Sequence, residues 1–411
     1  MVAQLGARLH YGAARAFFQR RMLECLYTDI CVSIRRQQLI RSLPWVPPPL
    51  ARLGERIPVD VPEELVRTFM TFGLRYAWCR SRVRDSDTYL ALHLWAGQTF
   101  CKKVLKKGFD GASVVYTFNT AALEILGAAR NRGALAVVEQ TIVPTVIERA
   151  LLDTERSNFP HWDRTVPATL ELHEEFAARE FAEWRTADTI VCGSPFVAES
   201  IAACGGPGDR CAVVPYGYSN RRGGRIRHRP HYPLRVLTVG LIGLRKGTPY
   251  VLRAAKKLRG CAVFRLIGPR AVSDSVIDDL RTACELVGSI PRDRVEEHYQ
   301  WADVFLLPSI CEGSATVCYE ALAAGLPVVT TYNSGSVVRD GTDGFVVALR
   351  SPDAIIAALE SIATNDGLLE TLSMNALRRS AEYSLDKYAD RLASAMTSPR
   401  LDEAGSTQWI R

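Results

Sequence analysis

Residues 306–330 read LLPSICEGSATVCYEALAAGLPVVT. Two apolar runs with strand character, Val304–Leu307 and Pro327–Thr330, bracket a segment whose Glu320-Ala321-Leu322-Ala323-Ala324 is strong helix-forming sequence. Ser314 is the predicted N-cap, and Gly325 followed by Pro327 is the C-terminal stop. The unit is therefore strand, loop, helix, strand. In such units the loop after the first strand lies at the carboxyl edge of a parallel sheet, where ligands bind, and the helix N-terminus there favours anions. Glu312 falls in that loop and Glu320 about two turns further on, so both carboxylates are expected to look toward one crevice. Backbone amides near Ser314, Ala315 and Thr316 would take phosphate oxygens, while the carboxylates accept hydrogen bonds from sugar and ribose hydroxyls. The same acids also have a plainer reading, as partners of the helix dipole.

Position by position, the segment resembles the Glu-x7-Glu signature of retaining glycosyltransferases of family 4, and the resemblance extends from about Leu234 to Tyr388. That family has the GT-B fold, two Rossmann-like parallel α/β domains facing each other across a cleft. The resemblance implies an acceptor-side domain over 1–215, a linker over 216–233 and a donor domain over 234–382, with a helix near 383–398 crossing back onto the first domain. It implies Glu320 on the donor ribose and Glu312 on the transferred sugar. It also implies a UDP- or GDP-linked sugar as substrate, with no cofactor and no metal. Where the family has Phe-Gly after the first Glu-Gly, this chain has Ser314-Ala315.

Moving toward the N-terminus from that stretch, the predicted strand Arg235–Gly240 is followed by LIGLRKGTPYVLRAAKKL. Gly240 and Gly243 permit a tight turn, and Arg245 and Lys246 precede a helix start, which is a diphosphate site in outline. The family carries Gly-Arg and then Lys-Gly here, and this chain has Leu241 in place of that Arg. Arg245 is expected to supply the missing cation, so that Arg245 and Lys246 neutralise the departing diphosphate. Val287-Gly288-Ser289-Ile290-Pro291 resembles the family segment whose backbone meets the nucleotide base, which places Ile290 at the donor. Gly335-Ser336 and Gly341–Gly344 fall where the family has glycine turns beside the donor.

The first half alternates strands and helices from Ser113 onward, a parallel α/β pattern. Met1–Gln4 allows a very short first strand before Gly6, Leu26–Thr28 a second, and Glu63–Arg82 and Thr88–Lys107 two long helices. By resemblance Gly6 belongs to a loop facing the cleft. Asn119, Glu139 and Gln140 close strands at the carboxyl edge and are the remaining acceptor-side candidates, with Gln140 where the family often has His. Asp85-Ser86-Asp87 matches the Asp-x-Asp of metal-dependent glycosyltransferases, but it precedes a helix instead of following a strand, which makes it capping chemistry. The proline-rich stretch 41–62, with Arg41, Trp45, Leu50, Arg52 and Arg56, mixes apolar and basic groups that suit lipid headgroups or the protein's own surface. The five arginines of the linker, Arg221, Arg222, Arg225, Arg227 and Arg229, are expected to keep it solvated.

At 411 residues the chain has room for two full cores. No apolar run is long enough to span a bilayer and no leader pattern opens the sequence, so a cytoplasmic protein is expected. Eleven cysteines without a Cys-x-x-Cys pair, Cys192, Cys261 and Cys318 among them, read as buried thiols rather than a zinc site. Residues 1–110 hold 18 Lys and Arg against 9 Asp and Glu, while the remainder holds 33 against 35. This basic first part suits an anionic membrane face or a lipid-phosphate acceptor, or is simply a solvated face, and the motifs point away from nucleic acid. Three functions stay open: a retaining transferase acting on a glycan or lipid-linked acceptor, a nucleotide-sugar epimerase, and a non-catalytic nucleotide-sugar-binding protein.

Overall fold

The computed structural model describes residues 1–32, 56–164, 166–218 and 223–397, with two short strands at 400–401 and 407–408. Arg41, Trp45, Leu50, Arg52, Arg221 and Arg222 lie outside the described residues.

Two all-parallel sheets form two Rossmann-like domains. The first runs in the order β3-β2-β1-β4-β5-β6-β7, where β1 is Val2–Gln4, β2 Leu26–Thr28, β3 Val66–Thr68, β4 Val114–Phe118, β5 Leu135–Gln140, β6 Thr189–Cys192 and β7 Cys211–Val213. The second runs β10-β9-β8-β11-β12-β13, with β8 Leu234–Val239, β9 Ala262–Ile267, β10 Cys284–Gly288, β11 Val304–Leu307, β12 Val328–Thr331 and β13 Gly344–Val347. Each order reverses once, between β1 and β4 and between β8 and β11. The chain leaves those neighbouring strands in opposite directions and opens a crevice at their carboxyl ends. The inner strands are buried on both faces, β5 and β11 throughout, which is why β11 reads as an unbroken apolar run and β5 as one as far as Val138.

The helix Thr316–Ala323 ends as its sequence requires. Gly325 takes φ +77°, Leu326 N–H donates to Ala321 C=O and Gly325 N–H to Leu322 C=O, both at 2.9 Å. This pair of bonds satisfies carbonyls the helix leaves free. Its N-terminus differs from expectation: Ala315 occupies the cap position without a side-chain bond, because the Ser314 hydroxyl is engaged by Tyr319 Oη at 2.7 Å and Gly335 C=O at 3.0 Å.

Two other expectations are corrected and one is met. The stretch Glu63–Arg82 is not one helix. Val66–Thr68 pairs with β2 as the edge strand, and the helix begins at Met70. The β-branched Val66 and Thr68 favour extended backbone, and the sheet edge supplies partners that override the helical pattern. Cys261 is exposed, whereas Cys192 and Cys318 are buried. Asp85 and Asp87 do cap: Asp85 accepts from Thr88 N–H at 2.7 Å and Asp87 from Thr169 N–H at 2.7 Å.

The linker arginines are not uniformly solvated either. Arg227 is 4% exposed. Its guanidinium donates to Tyr299 C=O at 2.7 Å, Ala302 C=O at 3.3 Å and Ala324 C=O. Those carbonyls close the C-termini of the helices Arg292–Trp301 and Thr316–Ala323, where a buried cation satisfies orphan acceptors and complements both dipoles. The last helix, Leu385–Thr397, packs on Gly12–Gln19 of the first domain, with Arg20 and Asp390 paired at 2.7 Å and Tyr388 against Tyr216. One apolar core runs from Tyr11, Phe17 and Tyr116 through Tyr216 and Tyr388 to Leu237, Phe305 and Tyr319, joining the domains.

Arg227→Ala strands several buried carbonyls at once, so it is expected to lower unfolding stability by about 3 kcal/mol. Denaturant unfolding tests this, and a loss below about 1 kcal/mol would show that water replaces the guanidinium.

Candidate active site

The loops after β8 and β11, the strands flanking the second sheet's crevice, bring the predicted cations and acid together. Gly247, at φ +68°, lies so close to the chain that an added Cβ would stand 1.9 Å from Pro308 C=O. This contact presses the turn Leu244–Lys246 against the loop carrying Glu312. Lys246 Nζ lies 2.8 Å from Glu312 Oε1, and Arg245 Nη1 lies 3.7 Å from Oε2. The neighbouring Glu312 carboxylate holds Arg245 above the usual guanidinium range. Both cations and the acid are largely buried, so their attraction is screened less than on an open surface.

Of the predicted amides, Ala315 N–H is taken by Ser334 C=O at 3.0 Å and so faces away from any ligand. The amides of Thr316 and Val317, in the first turn of the helix, have no intrahelical partner and remain available to an anion. Gly243 is likewise corrected. Its N–H donates to Thr248 Oγ1 at 3.0 Å, its φ of 173° is ordinary extended backbone, and it binds the loop rather than a phosphate. Gly240, at φ +143°, is the residue that makes room, since a Cβ there would meet Lys246 Cε at 3.2 Å.

Glu320 lies further along the same helix and accepts from Tyr299 Oη at 2.9 Å and Arg292 Nη2 at 3.1 Å. It lines a cavity of about 190 Å³ with Thr316 and Arg292 of the second domain and Leu9, His10 and Gly12 of the first. Burial pushes the Glu320 carboxyl up, against the pull of Arg292 and Tyr299. Burial, with Arg292 and Arg15 nearby, pulls His10 down to about 4, so its ring is neutral at pH 7 and Arg292 is the cation facing Glu320. Glu312 and Glu320 are thus on one helix-and-loop unit but have different partners. Ile290 is half-buried against the core, two residues before Arg292.

On the first domain, Gly6 turns the loop after β1 at φ +83°, and its N–H donates to Asp29 Oδ1 at 3.0 Å. The loop continues through Leu9, His10 and Tyr11, three consecutive non-glycine residues in the left-handed region. Such a run is costly for side-chain-bearing residues and persists only where surrounding contacts hold it. Arg8 supplies one: it donates to Asn119 Oδ1 at 3.2 Å and to Thr141 Oγ1, tying together the loops on either side of the first sheet's crevice. Asn119 is therefore at the cleft as a holder of Arg8.

Glu139 and Gln140 are corrected. Both are fully buried. Glu139 accepts from Tyr116 Oη at 2.6 Å and Tyr216 Oη at 2.9 Å, while Gln140 bonds Glu180, Ile142 C=O and Trp184 Nε1. Their side chains brace the sheet from inside and do not reach an acceptor.

Sequence reasoning missed Arg8, Arg292, Tyr299 and Ser194. Ser194 was detectable, as a Ser-Pro helix start immediately after β6. Its hydroxyl donates to Gly313 C=O at 2.6 Å across the domains. It also missed Glu148, half-buried in the first turn of the first-domain helix Thr145–Asn158 and close enough to Arg245 and Glu312 to feel both charges.

Residues 233–365 match the family model described as glycosyl transferases group 1. This second domain is a group 1 glycosyltransferase domain. The chain is similar to the amylovoran biosynthesis glycosyltransferase AmsK of Erwinia amylovora, 28% identical over 210 residues that make up 46% of this chain and 50% of that protein. It is also similar to the alpha-monoglucosyldiacylglycerol synthase of Acholeplasma laidlawii, 32% identical over 30% of this chain and 31% of that one. The chain spans half or less of the length of these curated relatives. Among solved structures, sucrose-phosphate synthase of Thermosynechococcus elongatus superposes with a TM-score of 0.64 at 15% identity, covering 96% of this chain and 97% of that one. HepE of Anabaena, solved with UDP-glucose, superposes with a TM-score of 0.61 at 13% identity over 96% and 98%. The group 1 domain and its partner sheet together have the GT-B fold.

Gly313 marks where the two GT-B domains touch, since a Cβ there would stand 1.9 Å from Thr141 C=O. Gly313→Ala is expected to push the loops apart and enlarge the radius of gyration in small-angle scattering. An unchanged radius would mean that this contact does not hold the cleft closed.

Proposed function

We propose that the protein transfers a sugar from a nucleotide-diphosphate sugar to an acceptor hydroxyl with retention of anomeric configuration, in glycan synthesis on a glycan or lipid-linked acceptor. The observation that carries this reading is the meeting of Arg245, Lys246 and Glu312 beside the open amides of Thr316 and Val317. Two cations and a helix N-terminus suit a diphosphate, and one carboxylate beside them suits sugar hydroxyls. As the glycosidic bond breaks, negative charge grows on the diphosphate, and pre-placed cations stabilise it without a metal ion. The departing phosphate oxygen takes the acceptor's proton on the same face, so no enzymic base is needed. Glu320, held by Tyr299 and Arg292, receives the ribose hydroxyls. The reading is supported by two relatives, the amylovoran biosynthesis glycosyltransferase AmsK and the alpha-monoglucosyldiacylglycerol synthase.

Slow release of nucleotide from a panel of nucleotide-sugars tests the reading. An epimerase would instead change the sugar and keep the diphosphate intact, and a binding protein would do neither. Arg245→Ala is expected to lower kcat about 100-fold, the scale of one lost charge stabiliser, with a smaller effect on donor affinity, and Arg245→Lys to recover only part. If Arg245→Ala turns over at the parental rate while Lys246→Ala does not, Lys246 alone carries the role. Glu320→Ala is expected to weaken nucleotide binding by about 1.5–3 kcal/mol in calorimetry. Parental affinity in a folded variant would remove Glu320 from the ribose site.

A further inference from the structure

The helix Met70–Arg82 has two unlike faces. Phe72 and Tyr76 enter the first domain's core, and Gly73 lets the helix lie against Asp29, where a Cβ would come within 2.8 Å of the carbonyl oxygen. The outer face carries Met70, Leu74 and Trp78, exposed to 38%, 48% and 55%. Residues four apart form one stripe along a helix, so these three large apolar side chains are neighbours in water. Beside them are the exposed Arg75, Arg82 and Arg84, and the Arg82 guanidinium stacks 3.7 Å above the Trp78 ring. None of the three arginines has an ion-pair partner among the described residues. The nearest acids in sequence, Asp85 and Asp87, are spent on the backbone amides of Thr88 and Thr169. At the same end of the helix Ser86 Oγ donates to Val166 C=O, and Val166 and Leu170, the first residue of the helix Leu170–Thr186, are exposed to 83% and 57%.

An apolar stripe edged by guanidiniums that have ring neighbours, Arg75 over Trp95 and Arg82 over Trp78, but no ion-pair partner among the described residues, within a first part of the chain carrying 18 basic against 9 acidic residues, complements an anionic bilayer. A protein partner fitting the stripe would need its own acids at the matching spacing, whereas a bilayer supplies phosphates anywhere. We propose that this stripe docks the protein on an anionic phospholipid surface, with Met70, Leu74 and Trp78 entering the acyl boundary and Arg75, Arg82 and Arg84 meeting headgroup phosphates. The helix begins at the cleft. Phe69 N–H donates to Asp29 C=O, and the Asp29 carboxylate receives Gly6 N–H from the loop that faces the group 1 domain. Docking therefore holds the acceptor side of the cleft against the membrane. Among the described residues no helix is long and apolar enough to cross a membrane, so attachment by this stripe is a surface contact.

The test is co-flotation of the full chain with vesicles of phosphatidylcholine alone or with about one-third phosphatidylglycerol. Binding is expected only with phosphatidylglycerol, and it should fade in a few hundred millimolar salt, where the Debye length falls below ~8 Å. The double variant Leu74→Glu, Trp78→Glu should reduce the bound fraction about tenfold while keeping the parental thermal transition. Trp78→Phe should bind like the parent but lose the fluorescence quenched by brominated acyl chains. The proposal is overturned by absence of binding, by equal binding to neutral vesicles, or by parental binding of the double variant, which would move the contact elsewhere, residues 33–55 included. A dimer that the double variant abolishes, without vesicle binding, would assign the stripe to a second copy and also overturn it.

Discussion

A guanidinium with almost no access to water holds the donor-side site in place. Arg227 sits where the C-termini of two helices converge, and the N-termini of those helices, at Arg292 and Thr316, line one cavity. A helix end left bare in a core costs unpaired carbonyls, and two ends meeting there would cost twice. One planar cation with several donors resolves both, in a way an ammonium on a single stem does not. The Glu320–Arg292 pair then links the same helices at their working ends. Fixed behind and paired in front, the helices hold their free amides and carboxylate in one arrangement.

The second organising constraint is topological. Each sheet reverses its strand order once, and each reversal opens a crevice with loops from both sides. In the second domain the two loops supply opposite charges, Lys246 and Glu312. In the first, Arg8 bridges them through Asn119 and Thr141. The crevices face each other at Gly313 and Thr141, where backbone meets backbone so closely that a side chain would not fit.

Much of this was legible in the residues. The β11 loop and its helix, the Arg245-Lys246 turn and the capping role of Asp85 follow from local chemistry, and their elements lie within a few residues of where the sequence puts them. The failures share a cause. Glu139, Gln140 and Arg227 are polar residues whose orientation depends on partners far along the chain, Tyr216, Trp184 and Ala324 among them. No local pattern tells a strand-end carboxylate that faces the cleft from one that faces two buried tyrosines. Val66–Thr68 was missed because an edge strand of three residues carries almost no periodic signal. Arg292 and Tyr299 were missed because their meaning comes from Glu320, which belongs to another helix.

The helix Thr145–Asn158 follows β5 and so belongs by sequence to the first domain, yet its far end is fastened to the second. Glu155, fully buried, accepts from Tyr250 Oη at 2.8 Å and Arg350 Nε at 2.5 Å, and Phe159 and Trp162 pack on the second domain's core. The covalent boundary and the mechanical one therefore differ. A recombinant hybrid joined at the linker would part Glu155 from both partners and strand a carboxylate in apolar surroundings. Exchange of donor domains between such chains would have to carry residues 145–164 along with the second domain, as though the gene encoded that domain in two pieces.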